Sequence, residues 1–159
     1  MCKLAWGISL ILLLLLGAMG YTFIIKGETI TASDGRSAIV LAEGERDLVL
    51  NEMRSFLQAV QGIISAVETN DMAEVAKQAK SVGLAAQEGV PASLMKKLPI
   101  EFKKIGRGTH KAFDQLAMDA ADLGDKNQAL KQLGELMQRC IACHAVYRID
   151  SEMPQAPKP

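Results

Sequence analysis

The sequence predicts an all-α protein: an antiparallel up-down-up-down four-helix bundle preceded by one N-terminal transmembrane helix. Three observations carry this. Aromatic residues make up only 4% of the chain, and Ala, Leu, Lys, Gln and Glu dominate beyond the N-terminal apolar run, a palette suited to helices rather than sheets. Four successive stretches place apolar residues at spacings of three and four, with turn signals between them. Leu4 to Ile25 is a continuous run without a charge, flanked by Lys3 and Lys26.

That run is long enough to cross the hydrocarbon core at about 1.5 Å per residue. A cleaved signal peptide competes with this reading, since Ala18 and Gly20 form an A-x-G site. The apolar residues continue past that site to Ile25, which favours an uncleaved anchor over residues 1–26. Either reading exports the rest of the chain. Residues 27–42, rich in Thr, Ser, Gly and Asp with a short apolar patch at Ala38–Leu41, read as a tether, either free or laid against the domain. Residues 43–150 form the bundle, and residues 151–159, ending in MPQAPKP, form a disordered tail that cannot continue a helix.

The first bundle helix is expected from Glu43 to Glu68, with Leu50, Met53, Phe56, Leu57, Val60, Ile63, Ile64 and Val67 in one stripe. Thr69 or Asn70 would then cap the second, Asp71 to Gln87, which Gly89 and Pro91 stop. After a connector over Pro91–Leu98, the third runs from Ile100 to Leu123 and ends at Gly124. The fourth, Asp125 to Ile149, carries Leu130, Leu133, Leu136, Met137, Cys140, Cys143, His144 and Tyr147. With 159 residues the chain has room for one domain, and its formal net charge of zero excludes an electrostatic footprint for nucleic acid. There is no pair of acid and base, no nucleophile with its base and no phosphate loop, so an enzyme is not expected.

The chemistry-bearing segment is Cys140-Ile-Ala-Cys143-His144. Cys-x-x-Cys sets two thiols one helical turn apart, able to add across two vinyl groups, while the adjacent His binds iron from the same side. This predicts one covalent haem c per chain. A thioredoxin-like motif would follow a strand and start a helix, and none is predicted there. A structural zinc site would need further Cys or His ligands, and only His110 remains. Cys2, with no lipobox before it, is read as an unpaired thiol.

Placed at the end of the last helix and written C-x-x-C-H-x-x-Y-R, the motif comprises Cys140, Cys143, His144, Tyr147 and Arg148. In this the chain resembles the cytochrome c′ / cytochrome c-556 family over about residues 43–150. The chain departs from that family in its apolar N-terminal segment and in lacking a tryptophan early in the third helix, its one Trp being Trp6. The resemblance implies a monohaem bundle whose sixth iron position is either a methionine, in electron carriers, or open, in proteins that bind NO or CO. It also allows a homodimer through the first two helices.

Helix depth narrows the sixth ligand. His144 lies about five residues, ~8 Å, before the end of the fourth helix, and Met53 about ten residues, ~15 Å, into the first. Depth leaves Met53 as the leading candidate, and it is the family resemblance that implies a ligand there rather than a core methionine. Met72 and Met118 belong near the far end, and Met137 shares a helix and face with His144. His110, expected to be a partly exposed helix histidine, and Met95 are rivals. Arg148, one turn after His144, is a candidate for a haem propionate or a solvated helix-end cation. Arg46 and Arg54 are remoter propionate candidates, and Tyr147 is expected to pack.

The expectation is a membrane-anchored monohaem cytochrome carrying electrons on the periplasmic side of a bacterial inner membrane, spanning it once. Its partners would be membrane or periplasmic redox proteins; the alternative is a five-coordinate haem protein that sequesters or senses gas.

Overall fold

A computed structural model describes residues 2–21, 25 and 27–152. Among them are helix α1 (Cys2–Gly20), strands β1 (Thr29–Thr31) and β2 (Ser37–Leu41), helices α2 (Glu43–Glu68), α3 (Met72–Ser81), α4 (Ala92–Lys97), α5 (Ile100–Leu123) and α6 (Lys126–Val146), and strand β3 (Tyr147–Ser151). The molecule is mostly helical with a small three-stranded sheet. Along α1, Trp6, Ile8 and every residue from Leu10 to Leu16 are exposed. No helix among the described residues is long and apolar enough to cross a membrane. Residues 1, 22–24 and 26 of the expected anchor, and residues 153–159 of the expected tail, lie outside the described residues.

Local chemistry sets the helix ends. The Glu45 carboxylate accepts the Ala42 N–H at 3.3 Å, opening α2. Asp71, rather than Thr69 or Asn70, caps α3 by accepting the Glu74 N–H at 2.9 Å. Asn70 instead makes the bend before it, at φ 58°. Pro99 precedes α5, which ends as expected at Gly124 with φ 63°. Asp125 opens α6 by accepting the N–H groups of Asn127 and Gln128 at 2.8 and 3.4 Å.

The helices α2, α3, α5 and α6 are neighbours in a ring, α2 to α3, α3 to α5, α5 to α6 and α6 back to α2. Their stripes meet in one core built around Ile63, Val75, Phe113, Leu116 and Leu136, each at most 1% exposed. Phe56 stacks on Phe113 with centroids 5.4 Å apart, a geometry that adds to the burial of both rings.

Three expectations need correction. The second helix stops at Ser81 rather than Gln87: the chain turns at Gly83, where an added Cβ would collide with the Asp114 carboxylate, and Leu84–Gln87 forms one tight turn. The fold is not all-α: two strands form within residues 27–42, the segment read as a tether. β1 pairs antiparallel with β2, and β2 pairs parallel with β3 from Ser37↔Tyr147 to Leu41↔Ser151. The whole helical body is the crossover a parallel pair requires. Ala38, Ile39 and Leu41 are completely buried, and Ile39 and Leu41 form a second apolar cluster with Val49, Leu94 and Leu98. Finally, the fourth helix ends at Val146, because Tyr147 turns extended (φ −116°, ψ 151°) to enter β3.

A lysine ties this end together. Lys97 Nζ lies 2.7 Å from Glu152, 3.0 Å from Glu45 and 4.0 Å from Glu28, joining α4 to the segments flanking β1, α2 and β3. Glu28 N–H also donates to the Lys97 carbonyl at 2.7 Å. At Gly27 (φ 64°) a Cβ would collide with the backbone of Lys97 and Pro99, so glycine is required there for both conformation and room.

Candidate functional site

Cys140 and Cys143 lie one turn apart near the end of α6, both half-buried and both free thiols. Cys140 packs against the main core and its Sγ lies 3.9 Å from the Leu136 carbonyl. Burial pushes the thiol of Cys140 above its ordinary range; burial, and then the neighbouring Cys140, do the same for Cys143. The negative end of the helix dipole acts in the same direction. A thiol–disulfide exchanger needs the reverse, a depressed pKa at a helix N-terminus. These are protonated thiols, accessible to a reactant from outside.

His144 follows on the exposed side of the last turn. Its carbonyl accepts a hydrogen bond from Arg36 Nη1 at 3.2 Å. Arg36 is fixed in turn by Asp34, 2.9 and 2.7 Å from its Nε and Nη2. The bonds from Arg36 hold the Asp34 carboxyl down to about 2. Sequence reasoning missed this Asp34–Arg36 turn: its partner is more than a hundred positions away, and no local pattern announces the pairing.

Arg148 lies on β3, not on a helical turn after His144. It pairs with Asp150 at 2.8 Å and Asp34 at 3.4 Å, and those carboxylates raise its pKa further. Tyr147 packs as expected, its ring edge-on to Phe102 at 5.5 Å. Tyr147 directly follows α6 and packs on the second apolar cluster, which places that cluster at the C-terminal end of the thiol-bearing helix. Met53 is half-buried on that same cluster, together with Phe102, Tyr147 and Ile149. Thus Met53 and the thiol-bearing turn meet at one end of the molecule. Met72 is buried at the start of α3, Met118 and Met137 are exposed, and Met95 is exposed on α4.

His110 is not the partly exposed residue expected; it is 1% exposed. Its Nδ1 lies 2.8 Å from the Val82 carbonyl and 3.1 Å from that of Gly83, and its Nε2 lies 3.1 Å from Glu52 Oε1. Both ring nitrogens thus face acceptors, which suits an imidazolium donating on both sides. Desolvation opposes that charge, but the bonds to Glu52 and Val82 outweigh it and the pKa is raised. A raised folded-state pKa contributes stability below the ordinary 6.5, lost as pH rises through the folded value. The denaturation midpoint should therefore fall as pH is raised above neutrality, and this slope should be absent from His110→Gln. An equal slope in that variant would assign it to another group.

Among the described residues no three His, Cys, Asp or Glu side chains form a metal cluster. A cleft of about 680 Å³ opens between α2, α4 and α5, but Cys140, Cys143 and His144 do not line it. No family model matches the chain, nor does any curated protein or solved structure.

The residues present suit a covalently held haem by their donor chemistry. Two free thiols are spaced for two vinyl groups, and an exposed imidazole without a ring partner among the described residues follows them. Arg46 Nε is buried without a hydrogen-bond partner among the described residues, leaving a donor for a carboxylate. Arg54 Nε is taken by the Leu50 carbonyl at 3.2 Å.

Proposed function

We propose that the protein is a c-type cytochrome: a four-helix bundle carrying one covalent haem on the last turns of its final helix. More particularly, it is a membrane-anchored electron carrier facing the periplasm of a bacterial inner membrane. The observation that carries this reading is the pair of protonated, half-exposed thiols at Cys140 and Cys143 with exposed His144 directly after them. Cys140 and Cys143 would hold the haem through thioethers, each S–H adding across one vinyl C=C bond with its hydrogen passing to carbon. His144 would supply an imidazole ligand to the iron, and Met53 is the candidate for a second ligand. When bound, haem supplies one-electron exchange between ferric and ferrous iron. The apolar row Leu10–Leu16, exposed along α1, supports the anchor, because hydrocarbon is the medium in which such a row is stable. Tethering raises the concentration of the domain near membrane redox partners.

The test is the optical spectrum of the haem-loaded protein, oxidised and reduced, with and without CO. The expected result is a low-spin spectrum with a methionine-to-iron charge-transfer band that disappears in Met53→Ala. A high-spin spectrum that shifts readily with CO would replace electron transfer by gas binding. A low-spin spectrum surviving the substitution would remove Met53 as ligand and leave Met95, since His110 has both nitrogens engaged.

A further inference from the structure

The cleft of about 680 Å³ takes no part in the thiol site. Its size falls within the ~300–1,000 Å³ of small-molecule pockets. Phe56, Leu94, Leu98 and Phe102 wall it, and Leu48, Val90 and Met95 also line it while remaining 48%, 36% and 40% exposed. Apolar side chains left facing water around a concavity favour a lipophilic occupant. Among the polar residues that line it, which include Glu88, Lys103 and Arg107, Glu52 is the carboxylate held by buried His110. Its Oε1 is engaged by buried His110, while its second oxygen has no partner among the described residues. A carboxylate oxygen in that state accepts a hydrogen bond, so the matching ligand group is a hydroxyl.

Position supplies the route of entry. Gly27, on the domain side of the apolar N-terminal segment, is pressed against the backbone of Lys97–Pro99. The connector whose Leu94, Met95 and Leu98 line the cleft therefore stands where the chain leaves that segment. From these observations we infer that the cleft binds a lipid-borne hydroquinone, its ring among Phe56 and Phe102 and a ring hydroxyl donating to Glu52. This rests on the membrane-anchored reading above, because the ligand arrives from the bilayer; it does not require haem.

The full-length, haem-loaded protein in detergent micelles is titrated with 2-heptyl-4-hydroxyquinoline N-oxide, a redox-inert hydroquinone mimic, and the loss of its fluorescence is followed. Saturable binding of one molecule per chain is expected, competed by duroquinol and not by dodecanol. Removing the charged acceptor in Glu52→Gln should weaken binding about tenfold. Met95→Glu, at an exposed wall position, should weaken it similarly, and Met137→Glu, on α6, should leave it unchanged. Linear partitioning without saturation, equal binding by all variants, or equal competition by dodecanol would overturn the assignment. A pyridine haemochrome assay on the same samples separately reads the haem, and co-sedimentation with membranes reads the anchor. Protein that binds the probe but emerges without covalent haem from cells equipped to mature c-type cytochromes would refute the cytochrome and leave the cleft standing.

Discussion

Replacing Cys140 and Cys143 together by alanine is expected to abolish covalent haem attachment completely. The readout is haem-dependent peroxidase staining after denaturing electrophoresis, from cells equipped to mature c-type cytochromes. Non-covalent haem leaves the chain in detergent, whereas a thioether survives it, so the assay separates attachment from affinity. Either single variant should retain one thioether and a weaker band. Both cysteines are half-exposed rather than central to the core, so circular dichroism of the double variant should remain that of a helical protein. Covalent haem persisting in the double variant would place attachment elsewhere and remove the basis for the proposed function.

Phe113→Ala should lower the stability of the bundle far more than truncation of any exposed side chain. Phe113 is fully buried in the main core and stacks on Phe56 with planes 7° apart. Deleting a buried phenyl ring costs about 3–5 kcal/mol in transfer free energy and residual cavity. That is a large part of the roughly 5–15 kcal/mol available to a typical domain. Chemical denaturation followed by helical ellipticity measures it, with Leu57→Ala as the control. Leu57 is on the same helix as Phe56 but 69% exposed, so its truncation should change stability by no more than about 0.5 kcal/mol. A loss below about 1 kcal/mol for Phe113→Ala would contradict the packing described.

Helix α5 shows how far local pattern reaches. Its limits, Ile100 to Leu123, are those expected from periodicity and a following glycine, because each signal acts within one turn of the chain. Leu57 and Ile64 show the limit of periodicity. Both belong to the expected stripe of α2 yet are exposed, since a stripe wider than the contact leaves its edges in water. The strands escape a local reading for a different reason. Ala38–Leu41 is visible as an apolar patch, but its pairing with Arg148–Ser151 joins residues more than a hundred positions apart. No local signal specifies such a pairing, and the same pairing ends α6 at Val146. His110 escapes it likewise: its burial comes from Val82 and Gly83, where α3 breaks, and from Glu52 on another helix.

The sequence by itself determined the helical character of the chain, the limits of α2 and α5, and the adjacency of two thiols and an imidazole on one turn. These are decided within a few residues, by propensity, capping and the 3.6-residue period. Only the tertiary structure decided that residues 27–42 join the folded body, that Arg36 meets the carbonyl of His144, that Met53 shares a cluster with Tyr147, and that a cleft opens beside Glu52. Those outcomes depend on which distant segments meet when the apolar faces are buried together, and hydrophobic burial is non-directional. The pattern of one stripe says that it must be covered but does not say by what.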